Sequence, residues 1–471
     1  MHAFQYAAPE TLDDALALLR EHRDEARVLA GGQSLVPLLN YRLARPKLVV
    51  DIAGLPLHGV VLEDGRLRLG ALVRHHQLEE SDTVARHCPM LGEAARLIGN
   101  VRVRALGTLG GSLAHADPAA ELPAAVTALD ARLQVASASG RRTIAAREFF
   151  AGPLTTVLAP DEIVTEVEVD GTPAHGWAVE QFARRAGDFG LVTVVALVSV
   201  DRRGRVEDAR LALGGVADRP VRAAGAEDAL RGEEPTAERL ARAAEIARER
   251  LDPPSDAFAS GAYRRLLAGV LCRRALTRAV ARALQSKGAS TAPSDASPMI
   301  APAKPALERK PPRDAMIARM VLNGRQREVE VRPNQTLLEM LRDTLGIFDV
   351  KQGCDEGVCG ACTVLLDGRP VSSCLVLAPA VRGRAVVTLR GLERDGGLHA
   401  LQEAFVRHGA VQCGFCTPGM LLTALAFLER ERSPDREALR TALEGNLCRC
   451  TGYAKILDAL EAYARGERGV G

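Results

Sequence analysis

Three thiols in one nine-residue loop constrain this chain more than any other feature. The stretch CDEGVCGAC at 354–362 sets Cys354, Cys359 and Cys362 close together, and Cys374 follows twelve positions on. Cysteines spaced C-x4-C-x2-C…C match the plant-type pattern that holds a [2Fe–2S] cluster. Gly353, Gly357 and Gly360 stand beside these thiols, where a missing Cβ lets backbone N–H groups come close to sulfur. A structural zinc site is the competing assignment. Its usual spacing is two C-x2–4-C pairs, which one crowded loop fits badly.

A second set lies further on: Cys413 and Cys416 in QCGFCTPGM at 412–420, then Cys448 and Cys450 in GNLCRCTGY at 445–453. Helical patterning over 399–407, 418–430, 434–444 and 453–464 puts each pair at a helix junction, so an antiparallel bundle can gather the four thiolates at one end. Thr417 and Ser433 each precede a proline and read as capping hydroxyls. C-x2-C with C-x-C also suits zinc, and the cluster loop just before it favours iron–sulfur. Eight of the ten cysteines fall between Cys354 and Cys450. Such clustering indicates metal ligation in a reducing compartment rather than disulfides. Cys88 and Cys272 have no neighbours of ligand type and read as packed thiols.

The first 285 residues carry a different signal. Residues 11–22 have a helical period with Thr11 as cap, and a strand-like run at 27–30 leads into Gly31, Gly32, Gln33 and Ser34 ahead of an apolar stretch at 35–43. Strand, Gly-Gly turn and Ser-capped helix make a phosphate-binding device. A second glycine loop, GTLGGS at 107–112, precedes His115, Asp117 and Glu121, and the two loops are expected to grip a pyrophosphate from both sides. No G-x-G-x-x-G follows a strand with an acidic residue about twenty positions on, so a Rossmann site is not supported. A Pro/Ala/Ser-rich linker at 286–314 has no hydrophobic period. Beyond it, strands around the turns Asn323-Gly324 and Asp367-Gly368, with a helix at 336–345 stopped by Gly346, suggest a sheet with one helix and a long ligand loop.

The 471 residues suffice for several domains. A net charge of +2, with no basic stretch interleaved with aromatics, argues against nucleic acid. No apolar run is long enough to span a bilayer, and no secretory leader is seen. A cytoplasmic protein is expected.

AGGQSL at 30–35 and VRVRALGTLGGSLAHADPAAELP at 101–123 resemble the FAD-binding subunit of the molybdenum hydroxylases, the family of xanthine dehydrogenase and aerobic carbon monoxide dehydrogenase. The two cluster motifs resemble that family's iron–sulfur subunit. The resemblance implies an α+β protein: a two-part FAD-binding domain (1–172, of the vanillyl-alcohol-oxidase type), a small α+β lobe (173–285), the linker, a β-grasp plant-type ferredoxin domain (315–394) and an α-helical-bundle [2Fe–2S] domain (395–471). By position, Ala30, Gly31, Gly32, Gln33, Ser34 and Leu35, with Thr108, Leu109, Gly110, Gly111 and Ser112, should contact the FAD phosphates and ribityl chain. Asp117 belongs to the same site, as does Glu121, where the family often has Asp. Phe189 should cover one flavin face. Cys354, Cys359, Cys362 and Cys374 should hold one cluster, and Cys413, Cys416, Cys448 and Cys450 the other.

The resemblance further implies that Gln412 and Cys450 lie beside the molybdopterin of a large catalytic partner subunit, in a dimer of heterodimers. Flavin precedes the clusters here, the reverse of single-chain family members, and the chain reads as fused medium and small subunits. It is then an electron-transfer subunit without catalytic residues of its own, passing electrons to an external acceptor such as NAD or a quinone. Carbon monoxide, aldehydes, purines and N-heterocycles remain open as substrates. A self-contained flavin–iron–sulfur reductase without molybdenum is the alternative.

Overall fold

The computed structural model describes residues 1–172, 175–286, 316–393 and 396–467. Past its first residue, the linker expected at 286–314 lies outside them. The flavin part begins with a three-stranded parallel sheet, in which Leu48–Asp51 is central between Gln5–Ala7 and Ala26–Leu29. The helix Leu12–His22 packs Ala15, Leu16 and Leu19 inward, and Thr11 caps it by accepting from Asp14 N. An antiparallel five-stranded sheet follows, in the order Val60–Glu63, Arg66–Gly70, Ile163–Asp170, Arg132–Ser137, Gly140–Ala145. Between the strands Arg66–Gly70 and Arg132–Ser137 the chain runs through short helices, among them Val101–Leu106 and Leu109–His115.

The small lobe is a four-stranded antiparallel sheet backed by Ala237–Glu249 and Gly261–Ser286. Its strand Val192–Val200 is buried along its whole length. The ferredoxin-like part is a five-stranded mixed sheet in which Met316–Leu322 pairs antiparallel with Arg325–Val331 and parallel with Ala385–Val387. Its turns are the expected ones, since Asn323, Gly324, Asp367 and Gly368 all have positive φ. The helix expected at 336–345 is α only over Leu337–Glu339. It widens to a π turn over Met340–Thr344 before Gly346 at φ +65°. Among the described residues, four α-helices form the last part: Ala400–Arg407, Thr417–Leu428, Arg436–Ala442 and Ala454–Ala464.

Three expected caps are corrected. Ser34 precedes its helix with helical φ and ψ, and its hydroxyl makes no cap bond. Thr417 lies inside the helix that it was expected to cap, so Cys416 takes the cap position. Asp435, not Ser433, accepts from Ala438 N and starts the next helix.

Phe4, Tyr6, Leu29, Val36, Leu39, Val49, Ala105 and Leu106 of the flavin part share one core with Leu375, Val376 and Leu377 of the ferredoxin-like part. A fully buried large apolar side chain contributes ~1.5–3 kcal/mol, so these two parts form one packed body.

Candidate cofactor-binding sites

A cavity of about 450 Å³ opens between the flavin part's two sheets. Ala30, Gly31, Gly32, Gln33, Ser34 and Leu35 form one wall, and Thr108, Gly110, Gly111 and Ser112 another. Asp117, Glu121 and Phe189 complete it, with Phe189 at 60% exposure. Leu109 does not line it. Its side chain is fully buried in the main core and its N–H donates to Val73 O.

The two glycine loops are not equivalent. The backbone N–H groups of Gly31, Gly32, Gln33, Ser34 and Leu35 make no hydrogen bond to any described residue. Unpaired N–H groups facing a cavity are costly without an acceptor, and a run of them makes an anion-binding nest. In the second loop, Leu109, Gly110 and Gly111 donate to Val73 O, Ala71 O and Thr108 Oγ1. Its glycines answer to packing, since a Cβ on Gly110 would lie 2.6 Å from the Ala71 Cβ. The loops also touch: a Cβ on Gly31 would lie 2.2 Å from Leu106 O. The residues present therefore fit a pyrophosphate, held by amides of the first loop and walled by the second.

Burial sets the charges here. Glu121 is 2% exposed and accepts from Gln181 Nε2 at 2.7 Å. Burial raises its carboxyl to about 7, against the lowering effect of that hydrogen bond. His75, on the cavity wall, is a residue that sequence reasoning missed. Burial lowers it to about 4, so it is neutral. Its Nε2 lies 3.0 Å from Thr108 O, which assigns the proton there. Nδ1 is then a buried acceptor without a partner among the described residues. In the sequence it is one of a His-His pair, His75-His76, with no motif around it.

The eight motif cysteines form two sites. Cys354 pairs with Cys359 and Cys362 with Cys374. In the helical part, Cys450 Sγ lies 3.4 Å from Cys413 Sγ, and Cys416 pairs with Cys448. Among the described residues, no three such side chains close around a single point. A mononuclear zinc gathers four ligands about one ion, whereas a [2Fe–2S] cluster gives each iron two. Pairs of sulfurs fit the cluster better. The N–H groups of Glu356 and Cys359 donate to Cys354 Sγ, both at 3.4 Å. A Cβ on Gly353 would sit 2.7 Å from Cys359 Sγ, which accounts for that glycine. Cys88 and Cys272 are fully buried, and burial raises both thiols to about 12. They are packed thiols, as expected.

The first tetrad lies against the flavin part. Asn40 Nδ2 donates to Asp355 O at 3.0 Å and to Cys374 O at 3.2 Å, and Tyr41 bonds to Glu356. Cys362 and Cys374 are 3% and 2% exposed. Cys413 and Cys450 are exposed, and so is Gln412. Glu80 of the flavin part joins both cluster-bearing parts through Arg369 at 2.8 Å and Arg430 at 2.7 Å.

Family models agree with this division. Residues 2–170 match the FAD binding domain in molybdopterin dehydrogenase, and residues 177–279 the CO dehydrogenase flavoprotein C-terminal domain. Residues 320–386 match a 2Fe-2S iron-sulfur cluster binding domain, and 388–461 a [2Fe-2S] binding domain. The medium subunit of nicotine 6-hydroxylase from Paenarthrobacter nicotinovorans is 41% identical over 281 residues, 59% of this chain and 98% of that one. The chain belongs to the molybdenum hydroxylase family. The small FeS subunit of nicotinate dehydrogenase from Eubacterium barkeri matches the other end, 50% identical over 30% of this chain and 88% of its own length. A carbon monoxide dehydrogenase structure from Hydrogenophaga pseudoflava superimposes on the flavin part with a TM-score of 0.59 and 36% identity, covering 60% of this chain and 98% of that one. This member of the family thus carries FAD and two [2Fe–2S] clusters on one polypeptide, as an electron-transfer subunit of an oxidoreductase. No described helix is long and apolar enough to cross a membrane.

Proposed function

We propose that this chain relays electrons from a large molybdopterin-bearing subunit, through its helical and ferredoxin-like parts in turn, to FAD and an outside acceptor. When bound, the clusters supply one-electron carriers and the flavin joins them to a two-electron acceptor. Cys413, Cys416, Cys448 and Cys450 hold the cluster nearest the partner. Cys354, Cys359, Cys362 and Cys374 hold the one nearest the flavin. The amides of residues 31–35 hold the FAD diphosphate against the loop at 108–112. His75 offers its free Nδ1, Glu121 its proton, and Phe189 covers one flavin face.

One observation carries the reading. Cys413, Cys450 and Gln412 stand exposed beside Val411, Phe415 and Leu447, which are 39%, 47% and 49% exposed. An apolar rim around an exposed ligand pair is what a docked protein would cover. The relatives' names, medium and small subunits, accord with a further subunit in their own enzymes. Gln412 and Cys450 would then face the partner's pterin, and the partner would choose the substrate.

Gentle purification from the native source tests this by metal and flavin analysis with mass spectrometry of accompanying chains. Four irons, one FAD, molybdenum and a stoichiometric large chain are expected. Full reductase activity without molybdenum or a partner would overturn the reading in favour of a self-contained flavin–iron–sulfur reductase.

A further inference from the structure

One guanidinium stands where three parts of the chain meet. Arg102, on the flavin-part helix Val101–Leu106, is fully buried at 0% exposure. Its Nε donates to Ser372 Oγ at 3.0 Å, and its Nη2 to Val358 O at 3.3 Å and Gly357 O at 3.5 Å, all in the ferredoxin-like part. Into the helical part, Nη1 donates to Asn446 Oδ1 at 2.9 Å and Nη2 to Gly445 O at 2.6 Å. Every one of these partners is a neutral oxygen. A buried guanidinium is usually matched by a carboxylate, and this one makes no ion pair with any described residue. Burial lowers its pKa, and the charges that oppose this effect are Cys362, Cys359, Cys374 and Cys354.

The surroundings are shaped to admit it. A Cβ on Gly445 would lie 2.7 Å from Arg102 Nη2, and equally 2.7 Å from the Asn100 side chain. Asn446, 2% exposed, turns its amide to Gly360 O beside Cys359. The arginine fork therefore fixes the helix that carries it, the cysteine loop and the entry to Cys448 in one arrangement.

We propose that Arg102 is a positioning residue for the inner electron step, and that its unmatched charge raises the reduction potential of the cluster held by Cys354, Cys359, Cys362 and Cys374. One-electron reduction adds one negative charge to that cluster, with no bond made or broken. A fixed cation in a dry site stabilises the reduced form more than the oxidised one. The inference rests on the assignment of those cysteines as ligands.

The test is a redox titration of the full cofactor-loaded chain, with dithionite as reductant and each cluster followed by its EPR signal. Arg102→Gln is expected to shift the inner cluster's reduction equilibrium against reduction by tenfold or more, which is 59 mV for a one-electron couple. Arg102→Lys should restore most of the wild-type potential. Asn100→Asp keeps the helix cap, which Asp supplies equally well, and sets a negative charge beside the guanidinium; it should shift the equilibrium in the same direction but less. Equal shifts in the Gln and Lys variants, or none in Asn100→Asp, would overturn the proposal. Should Arg102→Gln lose inner iron, Asn100→Asp decides the matter alone. If Cys374→Ser left both EPR signals intact, the ligand assignment would fail, independently of the arginine.

Discussion

The two cysteine tetrads differ in almost everything but the sulfur atoms they gather. The inner one sits in a glycine-rich loop, under the flavin part, with two sulfurs nearly excluded from water and a buried arginine against it. The outer one sits where helices meet, and half of its sulfurs are exposed. Thr451 donates its N–H and hydroxyl to Cys448 Sγ at 3.4 and 3.1 Å, a local arrangement that needs no other domain. Burial and hydrogen bonds to sulfur are the means by which a protein sets a cluster's potential and its reach. The inner site is thus built into the body of the molecule, and the outer is presented at its surface.

The largest effect should come from removing one ligand at each site. Cys374→Ser cuts into the core shared by the flavin and ferredoxin-like parts. Loss of a buried metal centre there should cost on the order of 4 kcal/mol and halve the iron content. Cys450→Ser should halve the iron content as well but cost about 1–2 kcal/mol. Urea unfolding with iron analysis measures both, and equal destabilisation would erase the distinction between a built-in site and a presented one.

Burial acts on the flavin cavity in the same way, through Glu121. Its carboxyl lies at about 7 in the folded chain against an ordinary 4.5. With the folded value the higher, its contribution to stability is full below pH 4.5 and is lost as pH rises through 7. Flavin-depleted protein should therefore lose up to about 3 kcal/mol between pH 5 and 8 that Glu121→Gln does not lose. Parallel pH profiles for the two would refute the assignment of a buried, protonatable carboxyl.

A smaller effect is expected where the cavity meets the inner tetrad. Gly32 has φ +74°, and a Cβ there would lie 3.1 Å from Val36 and 3.3 Å from Leu375 O, next to Cys374. Gly32→Ala should cost about 1–2 kcal/mol and weaken FAD binding roughly tenfold, by the same energy. Flavin release measured by fluorescence tests this, and unchanged affinity would mean that the nest is not the diphosphate site.

What could be read from the sequence was local. Each cysteine motif, the Asn323-Gly324 and Asp367-Gly368 turns and the Thr11 cap depend on residues within a short stretch of chain. The glycine loops were visible too, yet which one keeps free amides depends on Val73 O and Ala71 O, which come from another segment. His75 and Arg102 were invisible for the same reason. The first arginine of VRVRAL acquires its meaning from Ser372, Gly445 and Asn446, about 270 and 343–344 positions away. The displaced caps at Cys416 and Asp435 show the opposite limit, since helix starts shift by a residue or two when tertiary packing prefers it.

The smallest effect on the folded chain should fall at the outer rim. Phe415, Val411 and Leu447 leave much of their surface in water, so replacing one removes little burial. Phe415→Ser should change stability by no more than about 0.5 kcal/mol, the range of ordinary surface substitutions, and leave both EPR signals in place. If the outer tetrad is presented to a partner, the same change should release the large chain during purification, because apolar anchors near an interface centre carry much of its affinity. A variant that retains its partner at wild-type stoichiometry would place the docking surface elsewhere, and the exposure of Cys413 and Cys450 would then need another cause.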